Sequence, residues 1–288
     1  MVFEKSVDLS IIIVNYNANN YLRLCLESIF EFTEAISYEL ILIDNNSKNS
    51  IKTIEDNYPE VYYIKNKNNF GFSYANNQGI KKSKGRYILL LNPDTELLNN
   101  AFEKMLKFLD VNPFIGIVGP CVYDGDGNTI QLSCRSFPSF KTFLFNRYSL
   151  LTKFFPNNKW SNNYLLNNWD HSEQRKVDWV SGCCMMLRKE MLNEIGLLDT
   201  NFFMYNEDVD ICMRANKKGW QVYYHPDSKI KHHIGGSSQF AKKKMIVQRH
   251  KSIWRFYKKH YSKNIIFDMI TIFIIIIRAI YKLAFSRT

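Results

Sequence analysis

Residues 9–17, LSIIIVNYN, decide the fold. Leu9 to Val14 is apolar except for Ser10 and mostly β-branched, so it reads as a strand buried on both faces, and the run stops abruptly at Asn15-Tyr16-Asn17. The same grammar recurs twice more. Residues 40–47, LILIDNNS, and 87–95, YILLLNPDT, each drive an apolar run into a cluster of Asn, Asp, Ser or Thr. Helical spacing fills the gaps: about 19–31 with Tyr21, Leu22, Leu24, Cys25, Ser28 and Ile29 inward, a short helix at 51–57, and another at 71–83, with a further strand at 61–64. Alternating β and α segments predict βαβ units, hence an α/β fold around a mostly parallel sheet flanked by helices.

Such sheets bind ligands beyond the carboxyl ends of their strands. Single Asn/Asp clusters commonly make turns only. Three of them on one rim predict a site. Neither G-x-G-x-x-G nor G-x-x-x-x-G-K-[ST] follows any of these strands, so a bound nucleotide must be held differently. A divalent cation on Asp94, neutralising a diphosphate, would do so, since hard cations take carboxylate and phosphate oxygens together.

Downstream, the pattern predicts a helix at about 98–110, a strand at 115–118 and a hairpin over 122–131 around D-G-D-G-N. That turn begins like a calcium loop but lacks the remaining ligands. Residues 137–176 are irregular, rich in Asn and aromatics, and read as an inserted loop region covering the acceptor side of a site. Residues 177–187, VDWVSGCCMML, restore strand character, with Trp179 a core residue and Gly182 marking a bulge or a close approach of ligand to backbone. Residues 201–213, NFFMYNEDVDICM, set Glu207, Asp208 and Asp210 directly after an apolar run. Carboxylates there cost desolvation energy unless they are paired, ligand-bound or reactive, and one of them is a candidate general base. Acids opening a helix with Asn206 as its cap are the plainer alternative. A last strand at 220–224 leads to His225, His232 and His233, the last just before Gly235-Gly236-Ser237-Ser238.

With 288 residues, 46% hydrophobic and 15% aromatic, the chain can bury a large core, which excludes a disordered protein and fits one domain plus an appendage. The formal charge of +11 is concentrated: from Lys229 to Lys263 there are eleven Lys or Arg and no acid, so the rest is neutral. Nucleic acid, an anionic membrane or a phosphorylated substrate are the partners such a surface suits. Six cysteines without C-x-x-C spacing, and an amino terminus without a signal-peptide pattern, point to a reducing cytoplasm. A zinc site from Cys183, Cys184, His232 and His233 is disfavoured because strand neighbours face opposite ways. Ile265 to Ile277 is apolar apart from Asp268, too short to span a bilayer but suited to lie in its interface behind the basic segment. Aromatics among those basic residues would also suit single-stranded nucleic acid; the apolar helix beside them favours lipid, with self-association through the C-terminal helices as another use.

These segments together resemble family 2 glycosyltransferases, especially the bacterial rhamnosyltransferase-like branch. The resemblance rests on SIIIVNYN from Ser10, ILIDNNS from Ile41, NFGFSYANNQGI from Asn69, YILLLNPDTEL from Tyr87, VDWVSGCCMMLRKE from Val177, FFMYNEDVDICMRANKKGW from Phe202 and HHIGGSS from His232. It implies a GT-A fold over 1–238, with 239–288 a membrane-association tail. It also implies an inverting, metal-dependent reaction, with Mn²⁺ or Mg²⁺ and a dTDP-sugar or UDP-sugar donor. Position by position, Val14, Asn15, Tyr16 and Asp44 match donor base and ribose contacts, with Asn69, Gly71 and Asn76 nearby. Asp94 matches the metal-binding acid, and Asn92 stands where the family often has Asp. His233 is similar to the histidine completing the metal and diphosphate site, with His232 the other choice. Asp208 matches the general base, Glu207 orients it, and Trp179 and Gly182 resemble the sugar-side wall. Cys183 stands where Ala is usual. Arg135, in CRSFPS, reads first as a surface residue and second as a contact to an acceptor phosphate.

The resulting expectation is an enzyme at the cytoplasmic face of the membrane, moving rhamnose or a hexose onto a lipid-linked glycan or polysaccharide precursor, without nucleic acid. A nucleotidyltransferase and a non-catalytic nucleotide-sugar-binding scaffold are the competing readings. The first would want a triphosphate loop after the opening strand, which Asn15-Tyr16-Asn17-Ala18 does not supply.

Overall fold

The computed structural model describes residues 6–139, 158–233 and 242–285. Its elements in chain order are β1 (Leu9–Asn15), α1 (Asn19–Phe32), β2 (Tyr38–Asp44), α2 (Lys52–Asn57), β3 (Tyr62–Lys65), α3 (Phe72–Lys82), β4 (Tyr87–Leu91), β5 (Thr95–Leu97), α4 (Ala101–Val111), β6 (Ile115–Asp124) and β7 (Cys134–Arg135). They continue with α5 (Lys159–Leu165), β8 (Arg175–Val177), β9 (Trp179–Val180), β10 (Cys184–Arg188), α6 (Lys189–Ile195), α7 (Glu207–Lys217), β11 (Gln221–His232), α8 (Lys242–His260) and α9 (Ile265–Ala284).

The main sheet runs β3-β2-β1-β4-β10-β6-β11-β5, with β8 also paired to β11. β3, β2, β1 and β4 are mutually parallel, as the amino-terminal alternation predicts. β10 then inserts antiparallel between β4 and β6, and β6 and β11 are parallel. All seven residues of β1 are buried, and the period-2 alternation divides them: Leu9, Ile11 and Ile13 join one core with α1 and α4, while Ile12 and Val14 join the other with α3, α6 and α7. Burying each such aliphatic side chain contributes roughly 1.5–3 kcal/mol, so the two faces hold the sheet between two helical layers.

Three local expectations change. The predicted strand at 177–187 is three short pieces, broken at Asp178 and at residues 181–183, because β8 pairs with β11, β9 with β7, and β10 with β4 and β6. The strands predicted at 115–118 and 220–224 extend to Asp124 and His232: they pair with each other over most of their length, and an irregularity between His225 and Lys229 absorbs Pro226. Tertiary pairing carries both past their prolines. Within the predicted insertion at 137–176, residues 140–157 lie outside the described residues, as do Gly235-Gly236-Ser237-Ser238. All six cysteines are buried free thiols.

The carboxy-terminal segment is built into the domain. Phe256 of α8 is part of the second core, with Tyr261 packed against it. Basic residues that the sequence offers to a partner are partly engaged inside the molecule: Lys258 pairs with Asp268 and Lys259 with Asp199 and Asp210.

Candidate active site

The carboxyl ends of β1, β2 and β4 form one polar rim. Asn15 is buried, and its Nδ2 donates to Asp44 Oδ1 at 3.0 Å and to Ser47 Oγ at 3.1 Å. The Asn17 amide donates to the same Ser47 hydroxyl at 2.9 Å, and Asn17 and Asn46 both adopt left-handed backbone, so the two strand ends are knit into a single ledge. Asp44 and Tyr16 remain partly open to solvent on that ledge, beside buried Val14.

Asn45, which sequence reasoning left within a turn cluster, organises the next wall. Buried to 2% exposure, it donates to Asn69 Oδ1 at 2.9 Å and to Gly71 O at 3.3 Å, and accepts from Asn66 Nδ2 and the Phe70 amide. Gly71 has φ 87°, and a Cβ there would strike the Phe203 carbonyl. The neighbouring Phe72 amide donates to that carbonyl at 2.7 Å, so the 66–71 loop is seated on the segment leading to the acids. Asn76 is turned inward instead: its Nδ2 donates to Phe72 O one turn back, a packing role.

At the end of β4, Asp94 is 2% exposed and lies beside His232, with Nε2 to Oδ1 at 3.3 Å. The pairing goes to His232 and not to His233, because adjacent residues at the end of a strand face opposite ways. The His233 ring points to Glu96 and sits 5.1 Å from the Tyr21 ring, leaving only its backbone amide on Asp94 O at 2.9 Å. Burial alone would raise Glu96, but hydrogen bonds from His233 and Lys231 outweigh it and hold the carboxyl below its usual range.

Gln131 fixes the His232 tautomer. Its Nε2 donates to His232 O at 2.8 Å and Tyr123 O at 3.2 Å, which leaves Oε1 to accept from ring Nδ1 at 3.2 Å. In the neutral ring the lone pair on Nε2 then faces Asp94 and Asn92 Nδ2, the latter at 3.4 Å. A carboxylate and an imidazole lone pair facing each other repel unless a proton or cation lies between them, which is the donor chemistry of a divalent-cation site. Among the described residues no group of three or more His, Cys, Asp or Glu could hold a metal alone. The pair therefore fits a cation whose other ligands come from phosphate oxygens and water, as is usual for Mg²⁺.

Gly182 and Cys183 bridge this rim to the acids. Cys183 O accepts from the Asn92 amide at 2.8 Å, and the Gly182 amide donates to Asp208 Oδ2 at 3.2 Å. A Cβ at Gly182 would make ordinary van der Waals contact with Asp208 Cβ at 3.5 Å and with the Phe72 ring, so this glycine packs directly against the acid.

Asp208 alone of the three acids keeps solvent access; Glu207 and Asp210 are buried. Burial raises the Asp208 carboxyl above its ordinary value, opposed by the Gly182 and Val209 amides and by the positive charge of Arg135. Glu207 is pushed well above the usual range by burial and by its closeness to Asp208. Asp210 is a structural acid, bound by Arg214, Lys259 and His260.

Arg135 is not the surface residue the sequence suggested. β7 sets it opposite Trp179, whose ring lies 5.4 Å from the guanidinium, and Asp208 feels its charge. Trp179 is buried with its Nε1 donated to Ser136 O at 2.9 Å, so it backs the site through Arg135.

The glycosyl transferase family 2 model matches residues 10–196. An N-acetylglucosaminyl-diphospho-decaprenol L-rhamnosyltransferase of Mycobacterium tuberculosis is 28% identical over 88% of this chain and 85% of its own length. The rhamnosyltransferase WbbL of Escherichia coli K12 is 25% identical over 91% and 97%. Among solved structures, GalNAc-T7 with UDP, GalNAc and Mn²⁺ superposes with a TM-score of 0.59 at 18% identity, over 80% of this chain and 44% of that one. The mannosyltransferase PcManGT of Pyrobaculum calidifontis with GDP-Man and Mn²⁺ gives 0.59 at 14% identity, over 98% and 71%. The architecture is accordingly the GT-A fold, and with the family model covering well over half its length the chain belongs to glycosyl transferase family 2, as a rhamnosyltransferase-like member.

Proposed function

We propose that this glycosyltransferase moves rhamnose or a related hexose, with inversion, from a dTDP- or UDP-sugar to a hydroxyl of a lipid-linked glycan or surface-polysaccharide precursor. The carrying observation is the set of three acids in which only Asp208 is open to solvent, held by the Gly182 amide beside the β4 rim. The names of the relatives support the acceptor class: one acts on a diphospho-decaprenol lipid, and both transfer rhamnose.

In this reading Asn15, Tyr16 and Asp44 receive the base and ribose, and the Asn45-ordered loop with Asn69 and Gly71 closes over them. Asn92, Asp94 and His232 face the diphosphate; a Mn²⁺ or Mg²⁺ ion shared with it would offset the charge of the leaving group. Asp208 accepts the proton of the acceptor hydroxyl as that oxygen attacks the anomeric carbon from the face opposite the diphosphate. Its raised basicity suits a base working near neutral pH. The exposed face of α9 rests on an anionic membrane and brings the site to its lipid-linked acceptor.

The test is nucleotide-diphosphate release from a panel of UDP-, dTDP- and GDP-sugars, with membrane-lipid extract as acceptor and Mn²⁺, Mg²⁺ or EDTA added. One donor should support release, EDTA should stop it, and Asp208→Asn should lower kcat by about 10²–10⁴-fold. An Asp208→Asn enzyme working at the parent rate overturns the base assignment; full activity in EDTA overturns the cation.

A further inference from the structure

The backbone immediately before the catalytic acids is strained. Tyr205 and Asn206, side-chain-bearing residues in succession, both adopt left-handed conformation, with φ of 72° and 68°. Consecutive left-handed residues of this kind persist only where the surroundings over-determine them. The sheet does not do this, since residues 199–206 belong to no strand. Helix α8 does.

Its contacts bracket the turn on both sides. Ser252, buried on α8, donates its hydroxyl to Met204 O at 2.8 Å, and the Arg249 guanidinium lies 4.4 Å from the Tyr205 ring. Arg255 donates to Asn201 O. One turn further on, Lys259 pairs with Asp199 at 2.6 Å and with Asp210 at 2.8 Å, joining the residues before and after the strained pair through one ammonium. His260 Nε2 meets Asp210 Oδ1 at 2.7 Å, with a side chain only 3% exposed, and Arg214 takes Oδ2 at 2.9 Å. Lys217 Nζ at 3.1 Å from His260 Nδ1 makes that nitrogen the acceptor and leaves Nε2–H to donate to Asp210. Asp210 is thus gripped from α8 two residues beyond Asp208, and Met204 four residues before it.

We infer that Ser252, Lys259 and His260 are positioning residues: through Met204 and Asp210 they hold the Tyr205–Asn206 turn so that the Asp208 carboxylate stays on the Gly182 amide. The inference rests on Asp208 being the base. It makes α8 part of the catalytic apparatus, beyond any role at a membrane.

The test uses the full chain with Ser252→Ala, Lys259→Met and His260→Ala, reading kcat, donor KM and thermal midpoint. The expected result is a kcat lower by about 10–100-fold, because small misplacement of a reacting group is expensive, with donor KM unchanged. Lys259→Arg, keeping a cation for both carboxylates, should keep most of the rate. The decisive arm adds Asn206→Gly to Ser252→Ala or His260→Ala. Glycine takes the left-handed conformation without strain, so the double variant should recover several-fold in kcat over its single-variant parent. Ser252→Ala removes one hydroxyl only and keeps the experiment decisive should His260→Ala fail to fold. A parent-like kcat in folded variants, or a loss that follows the thermal midpoint with no recovery by Asn206→Gly, overturns the inference. Asp208→Asn separates the two levels: parent-like activity there overturns the base assignment itself, whereas an inactive Asp208→Asn beside fully active α8 variants removes only the role of α8.

Discussion

Arg135 and Asp208 show how one side chain bears on the charge of another. Arg135 favours the charged form of Asp208, so removing it raises the carboxyl further. In the proposed reaction Asp208 works as a base only when ionised, so activity is lost as pH falls through its pKa. Arg135→Met should therefore shift the acid limb of the kcat/KM profile to higher pH, above that of the parent enzyme; an unchanged or lowered limb would refute the assignment. His232 offers a second residue-scale test. Because Gln131 turns its Nε2 lone pair toward Asp94, His232→Ala should weaken activation by Mn²⁺ by about 10–100-fold in metal concentration, whereas His233→Ala, facing Glu96, should act mainly on stability. A metal titration of the two variants distinguishes them.

At the scale of elements, two junctions carry the site. The first is the seat of the 66–71 loop on the 199–206 segment. Gly71→Ala places a Cβ against the Phe203 carbonyl on a left-handed backbone, so it should destabilise the fold by about 1–3 kcal/mol and raise the donor KM, measured by denaturant melts and kinetics. The second is the grip of α8 on α7. Burial alone would raise Asp210, but His260, Lys259 and Arg214 outweigh it and hold the carboxyl at about 2. A group whose folded pKa is depressed contributes stability fully present above its unfolded value of about 3.9, and that stability is lost as pH falls through the folded one. Asp210 should contribute about 2 kcal/mol at neutral pH, disappearing between about pH 4 and pH 2. An Asp210→Asn variant should be less stable at pH 7 and show a flatter acid melt; parallel melting curves would refute the coupling.

For the whole molecule, the distribution of apolar surface is uneven. On α9, Asp268, Thr271 and Ile275 are buried, while Ile266, Met269, Phe273, Ile277 and Ile280 form an exposed stripe along the other side. Among the described residues no helix is long and apolar enough to cross a membrane. An interfacial position, with exposed Lys243, Lys244 and Lys251 of α8 available to anionic headgroups, fits both facts. Phe273→Asp with Ile277→Asp should abolish co-sedimentation with anionic vesicles while leaving folding intact. Self-association without lipid that the same substitutions remove would give the stripe to a second copy of the chain instead.

The sequence by itself determined the parallel half of the sheet, the polar rim and the acid cluster, because each is written locally: a β-branched run ending in Asn or Asp, or three carboxylates in four residues. Tertiary structure decided which members of those clusters work together. Asn45 and Gln131 act through partners far away in the chain, and the ring beside Asp94 is that of His232, with His233 turned to Glu96, because strand alternation and Gln131 orient it. Arg135 reaches Asp208 only because β7 pairs with β9. The basic tail read as a lipid-facing surface, yet part of it is engaged inside the molecule, since Asp199 and Asp210 lie where α8 packs. Local pattern records what each segment buries; which charges meet depends on contacts between segments far apart in sequence, and only the folded chain fixes those.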